Sequence, residues 1–428
     1  VGTVGVGVIR ILTEFQDVYA ERCGRAVIVS AISARSKSRD RGLDLAAYRW
    51  ESDPIALASA PDVDVVVEVM GGAGDPAYSL VKRALELGKP VVTANKALLS
   101  KHGLELAALA EKTGAQLNFE AAVAGGIPII KAIRESLVGN KITRLYGILN
   151  GTCNYILTEM TREGGSDCVG ANQRSFAEVL KDAQAKGYAE ADPTFDIGGI
   201  DAAQKLSLLA GLAFGTQVNF DGVHVEGIEA ITNEDIAYAD ELGYRIKLLG
   251  IARQTQHGIE QRVHPALVPK GSPIARIDGV TNAVMLEGDR VGALAFEGPG
   301  AGAGATASAV AADIADIARG ARGLPFIVPV AKLKASKPSP MARHKGMYYV
   351  RLRVMDRAGV LAAITAILAN HDVSIESFIQ RGRAPGEAVS VVLTTHECAE
   401  ETMQAALKEI DALHTVMGKS NFIRIEAL

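Results

Sequence analysis

The sequence predicts an α/β protein in three parts: an open parallel sheet at the N-terminus, an α+β middle part and a C-terminal βαββαβ unit. Three observations carry this. Up to about Phe119, short β-branched runs alternate with amphipathic stretches, the pattern of parallel strands joined by crossover helices. Beyond Ala121 the texture shifts to longer strands and helices rich in Ala and Gly. From about residue 347, strand, helix, two strands, helix and strand follow in order.

Bulk properties bound the answer. A chain of 428 residues exceeds one ordinary core, so two or three domains are expected. Hydrophobic residues make up 48% and charged residues 22%, which places it among globular proteins. The net charge of −4, with both signs interspersed, implies neither a nucleic acid nor an anionic membrane as partner. No apolar run reaches the roughly 20 residues of a membrane span, and no signal peptide leads the chain. Cys23, Cys153, Cys168 and Cys398 lie far apart at no zinc or redox spacing, so free thiols in the cytoplasm are expected.

The chain opens VGTVGVGVIRIL, where Gly2 and Gly5 have the spacing of the second and third glycines of a dinucleotide-binding fingerprint. The first glycine and the first strand of such a Rossmann-like domain are expected just before residue 1. Gly2, Thr3, Val4 and Gly5 would then offer backbone to a pyrophosphate; the alternative is a mobile glycine-rich end. The strand AVIVSAIS begins roughly 20 residues on, as a βαβ unit requires. It runs into SARSKSRDRG, where Arg35, Lys37 and Arg39 suit a 2′-phosphate, favouring NADP over NAD; for Lys37 and Arg39 a solvated basic loop is the alternative. DVDVVVEVM, KPVVTAN and AQLNFEAAV are the further strands. Thr93, Asn95 and Lys96 follow one of them at its carboxyl end, where open α/β sheets bind ligands, although a solvent-facing lysine at a helix start has the same spacing.

In the middle part, AGGIPIIKAIRESL reads as a helix entered through Pro128, and KITRLYGILNGTCNYIL as a strand turning into a helix. RIKLLGIARQ, IEQRVHPALV and NAVMLEGDRVGALAFEGPG read as strands, and TASAVAADIADIARGA as a helix. The Pro-, Lys- and Ser-rich stretch up to about Lys345 reads as a linker. The expected division is 1–125, 126–325, a linker over 326–346, and 347–428. In MYYVRLRVMD, Tyr348, Val350, Leu352 and Val354 share one strand face while Tyr349, Arg351 and Arg353 share the other.

The chemistry points to GYAEADPTFDIGGIDAAQKLSLLAGLAFG. Asp201 and Lys205 sit four apart, on one face of a helix otherwise nearly all apolar. An exposed ion pair has that spacing too, but so apolar a helix is buried nearly all round, so the pair is expected to face a cavity. A lysine desolvated beside a carboxylate can exchange a proton with an alcohol or carbonyl. Glu190, Asp192 and Asp196 offer carboxylates to an ammonium group, or cap a helix. His224, His257 and His264 show no metal-ligand spacing.

These motifs carry a resemblance. GTVGVGV, TANKALL, GILNGTCNYIL, GYAEADPTFDIGGIDAAQKL, GPGAGAGATASAV and DRAGVL together resemble homoserine dehydrogenase of the monofunctional kind with a C-terminal ACT domain, over essentially the whole chain. The resemblance implies NAD(P)-dependent interconversion of L-homoserine and L-aspartate 4-semialdehyde, on the route to threonine and methionine. It implies Lys205 as acid/base, Asp201 as its support, Lys96 as the second lysine, and Glu190, Asn150 and Thr152 around the substrate. Gly300 and Gly302 resemble the segment returning to the cofactor, so that the stretch near 298–320 belongs beside the first domain. A monovalent cation such as sodium would take Glu120 and backbone oxygens around Val123, Gly125 and Ile127. The ACT resemblance implies an effector, L-threonine, at Asp356, Gly359 and Val360, or a module that only dimerises; a homodimer or homotetramer is expected. Cys153 stands where the family more usually has Thr, and REGGSDCVGANQRSF is a long loop.

Overall fold

A computed structural model describes residues 1–163, 174–381 and 386–428. Cys168 and most of the long loop lie outside the described residues. In the N-terminal part the strands are parallel but short. β1 (Ala31–Ile32) pairs with β2 (Arg49–Trp50), and β3 (Val66–Glu68), β4 (Val91–Thr93) and β5 (Leu117–Asn118) form a separate set of three. Of AVIVSAIS only Ala31 and Ile32 enter a ladder, with the YRW segment as partner; two residues are too few to leave a periodic signal.

The Thr3–Glu14 helix packs against the Ala303–Ala318 helix, and Gly7 makes the contact possible. A Cβ there would stand 2.9 Å from the Ala307 Cβ and 3.0 Å from the Ala303 carbonyl oxygen. The next helix, Gln16–Cys23, also reaches the Ala303–Ala318 helix: the Cys23 thiol lies 3.7 Å from the Ala315 carbonyl oxygen. Val8, Leu12, Val310 and Ile314 form the core between them and the sheet. The Ala303–Ala318 helix thus returns from the middle part to the first, its first turn meeting the Thr3–Glu14 helix at Gly7.

The segment after Pro128 is not the regular helix expected. A single α-turn (Ile129–Lys131) passes into a π-helical turn (Ala132–Ser136), closed by the Leu137 N–H donating to the Ala132 carbonyl.

The middle and C-terminal parts share one sheet. Among the described residues its 11 strands run β11–β10–β6–β8–β9–β16–β12–β14–β13, with β7 beside β9 and β15 beside β12. These are β6 (Ile142–Ile148), β7 (His224–Val225), β8 (Tyr244–Thr255), β9 (Gly258–Pro269), β10 (Thr281–Gly288), β11 (Gly292–Pro299), β12 (Lys345–Met355), β13 (Ile375–Gln380), β14 (Ala388–Thr395), β15 (Cys398–Ala399) and β16 (Asn421–Ile425). The Ile200–Phe214 helix lies across β6, β8 and β9, buried from Asp201 to Ala213 save for the half-buried Gln204.

The C-terminal unit follows the expected order, with the Val360–Asn370 and Glu400–Asp411 helices covering the Tyr348, Val350, Leu352 and Val354 face. The opposite face is not left to solvent. Tyr349 and Arg351 meet Asp235, a fully buried carboxylate on the Asn233–Glu241 helix, which accepts at 3.1 Å from the Tyr349 hydroxyl and 2.7 Å from the Arg351 Nε. The joint itself is the parallel pairing of β16 with β9. There Arg424, 1% exposed, is held by Glu226 at 2.8 Å and Glu400 at 2.7 Å. The segment read as a linker is laid down rather than loose: Phe326 is buried against Phe119, and Lys334 and Lys337 accept backbone hydrogen bonds from Gln217 and Ile259.

Candidate active site

β6 ends at Ile148, and the chain turns through Leu149 and Asn150 into the Gly151–Glu163 helix. The Asn150 amide works on both sides of that turn. Its Oδ1 accepts from the Cys153 N–H at 2.8 Å, capping the helix. Its Nδ2 donates to Asp196 and Asp201, both at 2.9 Å. Lys205 Nζ donates to Asp201 Oδ2 and to the Leu149 carbonyl, each at 2.8 Å. From the N-terminal part Lys96 approaches the other Asp201 oxygen, at 3.2 Å. Asp201 and Lys205 are buried while Lys96 keeps 30% of its side chain exposed, so the cluster is open on the Lys96 side.

Burial alone pushes the Asp201 carboxyl up, but the Lys205 and Lys96 charges, with hydrogen bonds from Lys205 and Asn150, outweigh it and hold the pKa at about 2. Asp196 moves the other way, raised by burial and by the Asp201 charge against the Asn150 hydrogen bond. One carboxylate is thus a fixed anion between two ammonium groups. That arrangement fixes the Lys205 amine between Asp201 and the Leu149 carbonyl.

The other expected residues fall into three sets. Thr152 donates to the Tyr188 carbonyl at 2.6 Å, tying the segment that carries Glu190 to the site; Glu190 itself is exposed. Asp192 accepts from the Thr194 N–H at 3.1 Å, a helix-start role. The Cys153 thiol lies 3.2 Å from the Asp196 carbonyl oxygen and is pushed well up by burial. Thr93 and Asn95 turn inward: Thr93 donates to Glu68 at 2.6 Å, and Asn95 donates to the Gly72 carbonyl at 2.7 Å while capping Leu98. They hold the turn that aims Lys96.

On the nucleotide side, Gly2 precedes the helix and the N–H groups of Thr3, Val4 and Gly5 form its first turn, where no intrahelical acceptor exists. Space beside Gly2 is open. Such donors fit an anionic pyrophosphate. Exposed Gly302 starts the neighbouring helix at the same end, while Gly300 is buried. Arg35 and Lys37 are exposed on the loop after β1, and Arg41 pins that loop by donating to the Arg39 and Ser36 carbonyls at 2.7 and 2.6 Å. Glu120 accepts from the Ile130 and Lys131 N–H groups, both at 2.8 Å, and burial pushes its carboxyl up to about 7. Val123, Gly125 and Ile127 are buried around it, and the Gly126 N–H donates to the Pro299 carbonyl, joining this turn to the Gly300 segment. Carboxylate and carbonyl oxygens are the donor type a hard cation takes. Among the described residues no group of three or more His, Cys, Asp or Glu side chains could hold a metal.

In the C-terminal unit, Asp356 precedes Gly359, whose φ of 88° starts the Val360–Asn370 helix, and Val360 is buried. The Asp356 backbone is stitched to Glu387 and Gly386.

Sequence reasoning missed Asn282, Asp235, Glu226 and Arg424. They are dispersed along the chain in otherwise ordinary strands, a helix and a turn, and only folding makes partners of them.

A carboxylate between two amines, set beside a parallel sheet with free helix-start N–H groups, belongs to an oxidoreductase that works on a CH–OH group with a nicotinamide dinucleotide. Residues 128–315 match the homoserine dehydrogenase family, residues 1–120 the homoserine dehydrogenase NAD-binding domain, and residues 348–415 the ACT domain. The chain belongs to the homoserine dehydrogenase family. A homoserine dehydrogenase of Neisseria gonorrhoeae is 46% identical over 433 residues, covering 100% of this chain and 97% of its own. The crystal structure of a homoserine dehydrogenase from Thiobacillus denitrificans, 44% identical, matches with a TM-score of 0.92 over 100% of this chain and 96% of that one. A hyperthermophilic archaeal homoserine dehydrogenase in complex with NADPH, 26% identical, matches with a TM-score of 0.62 over 76% of this chain and 97% of that one.

Proposed function

We propose that the enzyme interconverts L-homoserine and L-aspartate 4-semialdehyde with NADP in preference to NAD, serving threonine and methionine synthesis. The observation that carries the reaction is the meeting of Lys205, Asp201 and Lys96. The bound nicotinamide supplies or accepts the hydride. Lys205 Nζ gives its proton to the aldehyde oxygen, or takes it from the alcohol, while Asp201 and the Leu149 carbonyl hold the ammonium in place. Lys96 orients the substrate and offsets charge developing on its oxygen. Glu190 and Asp196 receive the substrate amino group, with Asn150 and Thr152 lining the pocket. Gly2, Thr3, Val4, Gly5, Gly300 and Gly302 hold the dinucleotide with the Thr93–Lys96 turn, and Arg35 and Lys37 favour a 2′-phosphate.

Glu120 with the carbonyls near Val123, Gly125 and Ile127 would hold a monovalent cation such as sodium, stiffening the turn bonded to Pro299. L-threonine would bind at Asp356, Gly359 and Val360 and inhibit. The same reading divides the chain at 125, 325 and 346, with 326–346 as the connection. It takes the protein as a cytoplasmic homodimer or homotetramer. The test follows NADPH absorbance with L-aspartate 4-semialdehyde, repeated with NADH, and then with L-threonine. No turnover would end the assignment, equal rates at low NADPH and NADH would end the NADP preference, and no response at high millimolar threonine would end the effector.

A further inference from the structure

Two glycines converge on one side chain that no part of the mechanism uses, and a third backs one of them. A Cβ on Gly300 would stand 2.1 Å from the Asn282 amide, one on Gly151 3.3 Å from its Oδ1, and one on Gly125 2.4 Å from the Gly300 carbonyl oxygen. Asn282 is 1% exposed, and neither its Oδ1 nor its Nδ2 has a hydrogen-bond partner among the described residues. Native structures seldom leave both ends of a buried amide unpaired, and where they do, function is a reason to be sought. Gly300 therefore owes its identity to the amide lying flat against it.

The position of the amide defines its use. On β10, Asn282 lies opposite Gly298 of β11, and its neighbour Ala283 lies opposite Ile148, the last residue of β6. One step beyond Ile148, the Leu149 carbonyl holds Lys205. On the other side, the turn through Gly300 enters the Ala303–Ala318 helix, which packs on the first helix of the nucleotide domain at Gly7. The amide thus lies between the turn through Leu149 and Gly151, which holds Lys205, and the turn through Gly300.

We propose that Asn282 is a positioning residue for hydride transfer. When dinucleotide binds, the turn at residues 299–302 adjusts, Nδ2 donates to a carbonyl of that turn, and Oδ1 accepts an N–H there or at Gly151. The two halves of the site are then locked in register. This rests on the reading of Gly300 and Gly302 as cofactor-side residues.

The test is Asn282→Leu, which keeps the shape and removes both polar atoms. Tm is measured alone and with saturating NADPH, together with kcat and KM. The Tm of the free variant should equal or exceed the parent's, because an unpaired polar group has been replaced by an apolar one. The NADPH-induced rise in Tm should fall to about half or less, and kcat about tenfold or more, as loss of alignment predicts, with the semialdehyde KM nearly unchanged. A lower Tm in the free state would mean the amide is already satisfied, for instance by enclosed water, and would overturn the proposal. A parental kcat and a parental NADPH response would overturn it equally. If Asn282→Leu does not fold, Asn282→Ala, which cannot overpack, is read by its NADPH response and its kcat-against-KM split alone, with the same expected and overturning results. A parent enzyme with no turnover and no NADPH response would defeat the assigned reaction itself, a result distinct from any difference between variants.

Discussion

Lys205 and Asp201, one helical turn apart on the Ile200–Phe214 helix, share a hydrogen bond of 2.8 Å, and the same carboxylate meets Lys96 from another part of the chain at 3.2 Å. A charged trio inside an apolar wall is costly unless each member is paired, and here each is. Removing any one member therefore has consequences for both chemistry and stability, and the two can be separated.

Lys205→Met should lower kcat by about a hundred- to ten-thousandfold, the range for loss of a general acid, with NADPH affinity retained. Steady-state rates combined with NADPH fluorescence titration check this. A kcat within tenfold of the parent would remove Lys205 as the proton donor.

The pH dependence of stability follows from the lowered pKa of Asp201. Its folded value, about 2, lies below that of an unfolded carboxyl, so the pairing stabilises the fold above about pH 4 and is lost as pH falls through 2. Relative to Asp201→Asn, the parent should lose about 2 kcal/mol between pH 6 and pH 2. Urea midpoints at the two pH values measure it; a pH-independent difference would contradict the pairing.

Asn150→Ala removes a helix cap, worth about 1 kcal/mol, and the donor that separates Asp196 from Asp201. The two carboxylates then face each other with less compensation. Substrate KM should rise more than NADPH KM, read from rates at saturating levels of each.

Arg424→Met leaves Glu226 and Glu400 without their common partner at the β9–β16 joint, at a cost of about 3–5 kcal/mol. The C-terminal unit should become sensitive to limited proteolysis at protein concentrations where the parent resists. Fragment masses would show whether cleavage falls between residues 326 and 346.

Arg35→Ala should raise the NADPH KM about tenfold and leave the NADH KM nearly unchanged, as expected when one charge-assisted contact to a 2′-phosphate is lost. Parallel rises with both dinucleotides would point to a general loss of the loop that Arg41 pins.

Much of the fold was legible because hydrophobic periodicity reports burial directly. The alternation over 348–354 placed one face of β12 on its helices, and the nearly continuous apolar run over 200–214 marked a buried helix whose Asp and Lys had to find partners. The turn after Pro128 was misread because a π turn and an α turn have the same apolar spacing over so few residues; the two backbone donors captured by Glu120 are set by tertiary contact. The segment 326–346 looked like a tether by composition, yet its backbone polar groups pair with Gln217 and Ile259, which composition does not encode.

Local spacing and periodicity were enough to read the family, the βαββαβ order and the pairing of Asp201 with Lys205, four residues apart. That Lys96 completes that pair, that Asp235 receives the polar face of β12 and that Arg424 joins the two halves of one sheet came from the packing of elements distant in the chain. The difference is one of range. Periodicity and helical spacing are local and can be read along the chain, whereas a charge buried opposite another from a hundred residues away is fixed by the packing of whole elements.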